Sequence, residues 1–186
     1  MIQEALRSLY GAYRLARRDA GGMAFFNTTI DGFWRSFLAA AIIAPFYILL
    51  LYIRFNAGEM NVHPYRFVAV EAISYVLSWV TFPVVMISLA KFLEREKNYL
   101  AYIVAYNWAS VLQNALYLPL AMLMVNELLP AGMASALSLI VFLMIIFYTW
   151  FVARTALNVS GGIASGIVVL DLVISVFINA TAESMF

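Results

Sequence analysis

The 186-residue chain has no cysteine, one histidine and few charges of either sign. Without cysteine there is no disulfide, no thiol nucleophile, no iron–sulfur cluster and no thiolate metal site. The single histidine, His63, has no acidic residues around it at metal-ligand spacing, so no metal centre is expected. A Gly-rich phosphate loop, a Gly-x-Ser-x-Gly turn and a His-Glu-x-x-His helix are all missing as well. These gaps argue against an enzyme, and no cofactor is expected. A net charge of +1 without a basic stripe argues against a general affinity for nucleic acid.

What the chain has in abundance is apolar surface. Its hydrophobic fraction is 65% and its charged fraction 11%, against roughly 45–50% and about 25% in soluble domains. Lipid is the simpler solvent for such a composition. Five runs lack charge: 36–53, 72–90, 98–126, 128–153 and, interrupted by Asp171, 155–182. Each reaches or approaches the ~20 residues that a helix needs to cross the hydrocarbon core. The expected fold is therefore all-α: a polytopic membrane protein with spans near 34–54, 67–90, 99–125, 130–153 and 162–180. No Pro-, Gly- or Ser-rich linker divides the chain, so 33–186 reads as one bundle. The first 32 residues contain no apolar core of signal-peptide type, and the first span should act as an uncleaved anchor.

The basic residues set an orientation. With a cytoplasmic N-terminus the inner side receives Arg7, Arg14, Arg17, Arg18 and Arg35, then Lys91, Arg95 and Lys97, then Arg154. That is nine of the eleven basic residues, leaving Arg54 and Arg66 outside. Positive charge in short loops favours the cytoplasm, so the N-terminus is expected inside and the C-terminus outside. Aromatic residues such as Trp34, Tyr52, Tyr65, Tyr99 and Trp150 suit the two interfacial belts.

Residues 2–18 read as an amphipathic helix. Ile2, Leu6, Leu9 and Tyr13 form an apolar stripe at helical spacing, and Arg7, Arg14 and Arg18 share another face. Such a helix either lies at the headgroups, held by anionic lipid, or packs beneath the bundle as a collar. Gly21, Gly22 and the polar Asn27-Thr28-Thr29 mark a turn before the first span.

Three spans carry narrow polar stripes. Glu71, Ser74, Ser78 and Thr81 lie on one face of the second span, and Asn107, Ser110, Asn114 and Tyr117 repeat that spacing in the third. In the fifth span Asp171, Ser175 and Asn179 recur every four residues. Such stripes should turn from lipid toward one another. Glu71 is expected about one turn below the outer surface and Asp171 near the midplane, facing Ser78, Gln113 and Asn114. An ionised Asp at that depth costs roughly 2.5–3.5 kcal/mol. No basic residue lies at its level, so it should be protonated or accept hydrogen bonds from amides and water.

Pro45, Pro83 and Pro119 fall inside spans and can kink them. Gly162 and Gly166 form a Gly-x-x-x-Gly pair, expected to make a close helix contact within the bundle or between copies. Glu94, Arg95, Glu96 and Lys97 form an alternating charge patch that reads as a solvated helix end or a docking point.

The stretch Asn98-Tyr99-Leu100-Ala101-Tyr102-Ile103-Val104-Ala105-Tyr106 leads into a polar helix reaching Leu118-Pro119-Leu120. Tyr148-Thr149-Trp150-Phe151-Val152-Ala153-Arg154 ends the fourth span in a basic turn. Together with five spans, this layout resembles the YIP domain family of Rab-interacting membrane proteins in its bacterial form, over roughly residues 33–182. The Asp-Leu-Tyr-Gly-Pro segment of eukaryotic members is missing. The resemblance implies a multi-pass protein of the bacterial inner membrane with roles in membrane shaping and partner recruitment. Two functions follow as expectations. The first is a non-enzymatic organiser of lipid or other membrane proteins, including copies of itself, acting through the N-terminal helix and the 91–97 loop. The second is a small proton- or cation-linked transporter or channel subunit using Glu71 and Asp171.

Overall fold

A computed structural model describes residues 2–58 and 62–186, which form an all-α fold. Helix α1 (Ile2–Ala16) is followed by a short 3₁₀ helix (Ala20–Phe25). Then come α2 (Ile30–Ser36), α3 (Leu38–Asn56), α4 (Pro64–Phe92), α5 (Glu96–Val125), α6 (Ala131–Leu157) and α7 (Gly161–Glu183). Taken with α2 and α3 as one unit, five helices are long and apolar enough to cross a membrane.

The helix ends explain why the span limits differ from those of the uncharged stretches. Thr29 caps α2 by accepting from the Gly32 N–H at 3.1 Å, and Ser160 caps α7. Pro64 opens α4 at a position where no N–H is needed. The opposite ends are closed by residues in the left-handed region: Arg18, Glu94, Glu127 and Asn158 have φ of 64, 57, 51 and 52°. After each, an N–H reaches back five residues, as in Arg95 to the Ala90 carbonyl at 2.8 Å and Leu128 to Leu123 at 3.0 Å. This Schellman arrangement satisfies carbonyls that would otherwise be orphaned in apolar surroundings.

Where proline removes a donor, tyrosines work nearby. The Tyr75 hydroxyl donates to the Ala40 carbonyl at 2.7 Å, next to Ala41, whose partner Pro45 lacks. Tyr99 donates to the Pro83 carbonyl at 3.0 Å. The helices stay continuous through all three prolines.

Around α5 the bundle is built: α6 and α3 pack along it, with α1, α2 and α4 on its remaining sides, while α7 joins α4 and α6. The main core lies at the end that carries α1. There Phe82, Met86, Tyr102, Ile103, Val152 and Leu157 are fully buried among alanines 105, 109, 153, 156 and 164. The far end has only a small second cluster of Ile43, Leu50 and Leu118. Side chains such as Ile73, Leu139, Leu143 and Phe177 point outward, as lipid-facing positions should.

At the N-terminus the structure redraws the expected helix. It packs on the bundle through Ser8, Gly11, Ala12 and Leu15, all buried, while Ile2, Leu6, Tyr10 and Tyr13 are 79, 62, 51 and 49% exposed. Glycines also bring the 3₁₀ helix against α1 and fold the following turn tightly onto α2. A Cβ at Gly22 would stand 2.5 Å from the Gly11 carbonyl oxygen, and one at Gly32 would overlap the Asn27 carbonyl. Polar bonds fix the position. Glu4 accepts from Asn27 at 2.8 Å and Arg35 at 2.7 Å, and the Tyr148 hydroxyl donates to the Ala12 carbonyl at 2.7 Å. The turn expected at Gly21–Gly22 is instead a 3₁₀ helix capped by Asp19.

Candidate functional site

The polar stripes of α4, α5 and α7 lead to one cavity of about 390 Å³. Its floor is aromatic. Tyr106 lies against Phe82 with ring centroids 4.7 Å apart, and Tyr102, one turn earlier, is fully buried. Above this floor the Tyr106 hydroxyl donates to Asp171 Oδ1 at 2.9 Å. The walls rise through Ser110, Gln113 and Asn114 of α5, Thr149 of α6, Ser175 and Asn179 of α7 and Ser78 of α4, toward Tyr117 and Arg54. From Tyr106 to Tyr117 the rise of α5 is about 16 Å.

Asp171 thus shares a space with Ser78, Gln113 and Asn114. It is the eleventh of the 23 residues of α7, in the middle of its own helix. Asn107, next to Tyr106, donates to the Ser36 hydroxyl at 2.8 Å.

Two residues of the expected cluster lie elsewhere. Asn107 is fully buried against α2, with its Oδ1 unpaired among the described residues. Glu71, 5% exposed, accepts from the Tyr47 hydroxyl at 2.8 Å and has Arg54 at 4.0 Å. It lines a separate apolar groove of about 550 Å³ between α3 and α4. The stacked rings of Tyr47 and Tyr75, 5.0 Å apart, border both spaces. Tyr47 and Arg54, which contact Glu71, both line the Asp171 cavity.

Other expected contacts also change. Gly162 and Gly166 are exposed, and a Cβ at either would meet nothing within 4 Å. Among the described residues Gly162 and Gly166 therefore make no close contact within the bundle, because Ala164, Ile167 and Val168 are the buried side of α7. Of the three arginines, Arg14 is engaged internally: its Nε donates to Asp19 at 2.6 Å and its guanidinium lies over the Phe25 ring. Arg18 lies over the Phe147 ring at 4.6 Å, and Arg7 is exposed. Within the 91–97 loop, Arg95 donates to the Asn158 carbonyl at 3.2 Å, tying two helix turns together.

Tyrosines 47, 75 and 106 and Thr149 build the cavity as much as the expected residues do. Their signal was a polar tip inside an apolar run, since a buried tyrosine hydroxyl usually finds a partner. Comparison of the chain with protein-family models, with curated proteins and with solved structures found no match.

Proposed function

We propose that the protein is a non-enzymatic integral membrane protein that organises lipid or partner proteins at one face of the bilayer. The observation that carries this reading is the double use of α1. One face is clamped to the bundle, yet the apolar stripe of Ile2, Leu6, Tyr10 and Tyr13 stays exposed beside Arg7 and Arg17. A rigidly held helix with a free apolar face and adjacent cations suits the headgroup boundary of an anionic leaflet. The charge distribution argues for the cytoplasmic leaflet, and the resemblance to bacterial YIP-type proteins argues for the inner membrane. The packed core at the α1 end favours this reading over transport, because it closes the cavity on that side.

The test is extraction into native-lipid discs followed by mass spectrometry of what accompanies the protein. Enriched anionic lipid or a stoichiometric partner is expected, and either should be lost when Arg7, Arg17 and Arg18 are changed to Glu. Arg14 is left unchanged because its bond to Asp19 is structural. Recovery of the unaltered protein alone in bulk lipid would sink the organiser reading.

A further inference from the structure

The cavity around Asp171 has a chemistry that helix packing does not require. Most of its side-chain donors are already used. The hydroxyls of Ser78, Ser110 and Thr149 each donate to a carbonyl one turn back on their own helix, at 2.8, 3.0 and 2.9 Å. Asn114 and Asn179 give an N–H in the same way, both at 2.9 Å, and Gln113 gives one to Thr149 at 3.0 Å. What remains is the second N–H of each amide, the Ser175 and Tyr117 hydroxyls and several oxygen acceptors. The second Asp171 oxygen and the amide oxygens of Gln113 and Asn114 receive no donor from the described residues.

Aromatic side chains of Tyr47, Tyr75, Trp79 and Tyr106 share the rest of the lining with aliphatic ones such as Ile43, Ile146 and Leu172. An aromatic face attracts a cation within about 6 Å of its centroid. A carboxylate screened from water attracts one more strongly still. Among the described residues no basic group pairs with Asp171; Arg54, at the other end of the cavity, stands beside Glu71. Spare acceptors, one carboxylate and nearby aromatic side chains form a recognition set for an organic ammonium group.

The cavity also continues sideways. A groove of about 700 Å³ bounded by α3, α5 and α6 shares Leu50, Arg54, Tyr117 and Ile145 with it. That groove is otherwise mainly apolar, with Leu139, Phe142 and Met124 along it. A headgroup in the cavity therefore has a route for an apolar tail. We propose that this site binds the ammonium headgroup of an amphiphile, with the cation against Asp171 and Tyr106 and the chain in the α3/α5/α6 groove. The site is independent of the α1 surface.

The full chain in maltoside micelles is titrated with dihexanoyl phosphatidylethanolamine, tetramethylammonium chloride or dihexanoyl phosphatidylglycerol. Thermal midpoint and tryptophan fluorescence are followed, since Trp79 lines the cavity. Saturable binding of the ethanolamine lipid is expected, with tetramethylammonium competing more weakly and the glycerol lipid failing to compete. Asp171→Asn should weaken binding about tenfold or more while melting near the unaltered protein. Asn114→Leu, which fills the cavity and leaves the carboxylate in place, should do the same. Absence of saturable binding, equal binding of the glycerol lipid, or unchanged affinity in Asp171→Asn would overturn the proposal. Binding of tetramethylammonium without the lipid would overturn the amphiphile and assign the site to a water-soluble cation.

Discussion

Near α1, the side chains of Phe82, Met86, Tyr102 and Val152 fill the space between α4, α5 and α6. In the far half the same helices stand around a cavity of about 390 Å³ flanked by open grooves. The difference follows from residue size. The near half lines its contacts with alanines at 105, 109, 153, 156 and 164, which let backbones approach as membrane helices require. The far half instead presents Leu50, Tyr117, Gln113 and Asn114 to the space between its helices. Lipid provides little hydrophobic drive for closing such a gap. A polar lining is therefore compatible with stability there, and the packed half carries the fold.

Deleting one side chain from each half tests this most severely. Phe82→Ala removes a ring that contacts Tyr102 and Tyr106 and should cost about 3–5 kcal/mol, the range for buried aromatics. Leu139→Ala, in the α3/α5/α6 groove and 58% exposed, should stay within about 0.5 kcal/mol. Unfolding of both variants in mixed micelles gives the two values. Equal losses would mean that the far half is as tightly packed as the near one. A polar pair gives a smaller contrast. Ser36→Ala strands the buried Asn107 amide and should cost about 1–3 kcal/mol. Ser78→Ala removes only a bond back to the Ser74 carbonyl of its own helix and should be nearly silent. If Ser78→Ala were the costlier change, the cavity rather than the packed core would be the structural centre.

The spans were legible because an uncharged run of that length has no other stable home. Their ends were less so, since the caps at Thr29 and Pro64 lie outside the uncharged runs and the cap at Ser160 lies well inside the last one. For the site, helical spacing correctly reported which residues share a face. It is silent on which neighbour that face meets. Asn107 and Asn114 are seven residues apart on α5, yet one meets α2 and the other faces the cavity. Glu71 and Ser78 bear the same relation on α4, one lining the α3/α4 groove and the other the cavity, with the Tyr47–Tyr75 stack bordering both. Spacing alone offers no view of that stack, because tyrosine reads equally well as core, belt or polar partner. The stripe of α1 is a further case. Its apolar spacing left the headgroup and collar placements both open; the structure packs the helix through Ser8, Ala12 and Leu15 and leaves Ile2, Leu6 and Tyr13 exposed.

The smallest expected effect concerns how α1 is attached to the packed half, and it depends on pH. Hydrogen bonds from Arg35 first, and then Asn27, hold the Glu4 carboxyl below the usual glutamate range. A depressed acid contributes stability that is fully present above its ordinary value and is lost as pH falls through the lowered one. Further along α1 the attachment is uncharged, through Tyr148 on the Ala12 carbonyl and the Gly11–Gly22 approach. Acid should therefore loosen the first turns of α1 and spare residues near Ala12. Hydrogen exchange, corrected for its intrinsic pH dependence, would show protection lost around Glu4 alone. Glu4→Gln should reproduce that pattern at neutral pH. If its first turns stayed as protected as in the unaltered protein, the glutamate would not be what fastens them, and the small-residue contact would account for the whole attachment.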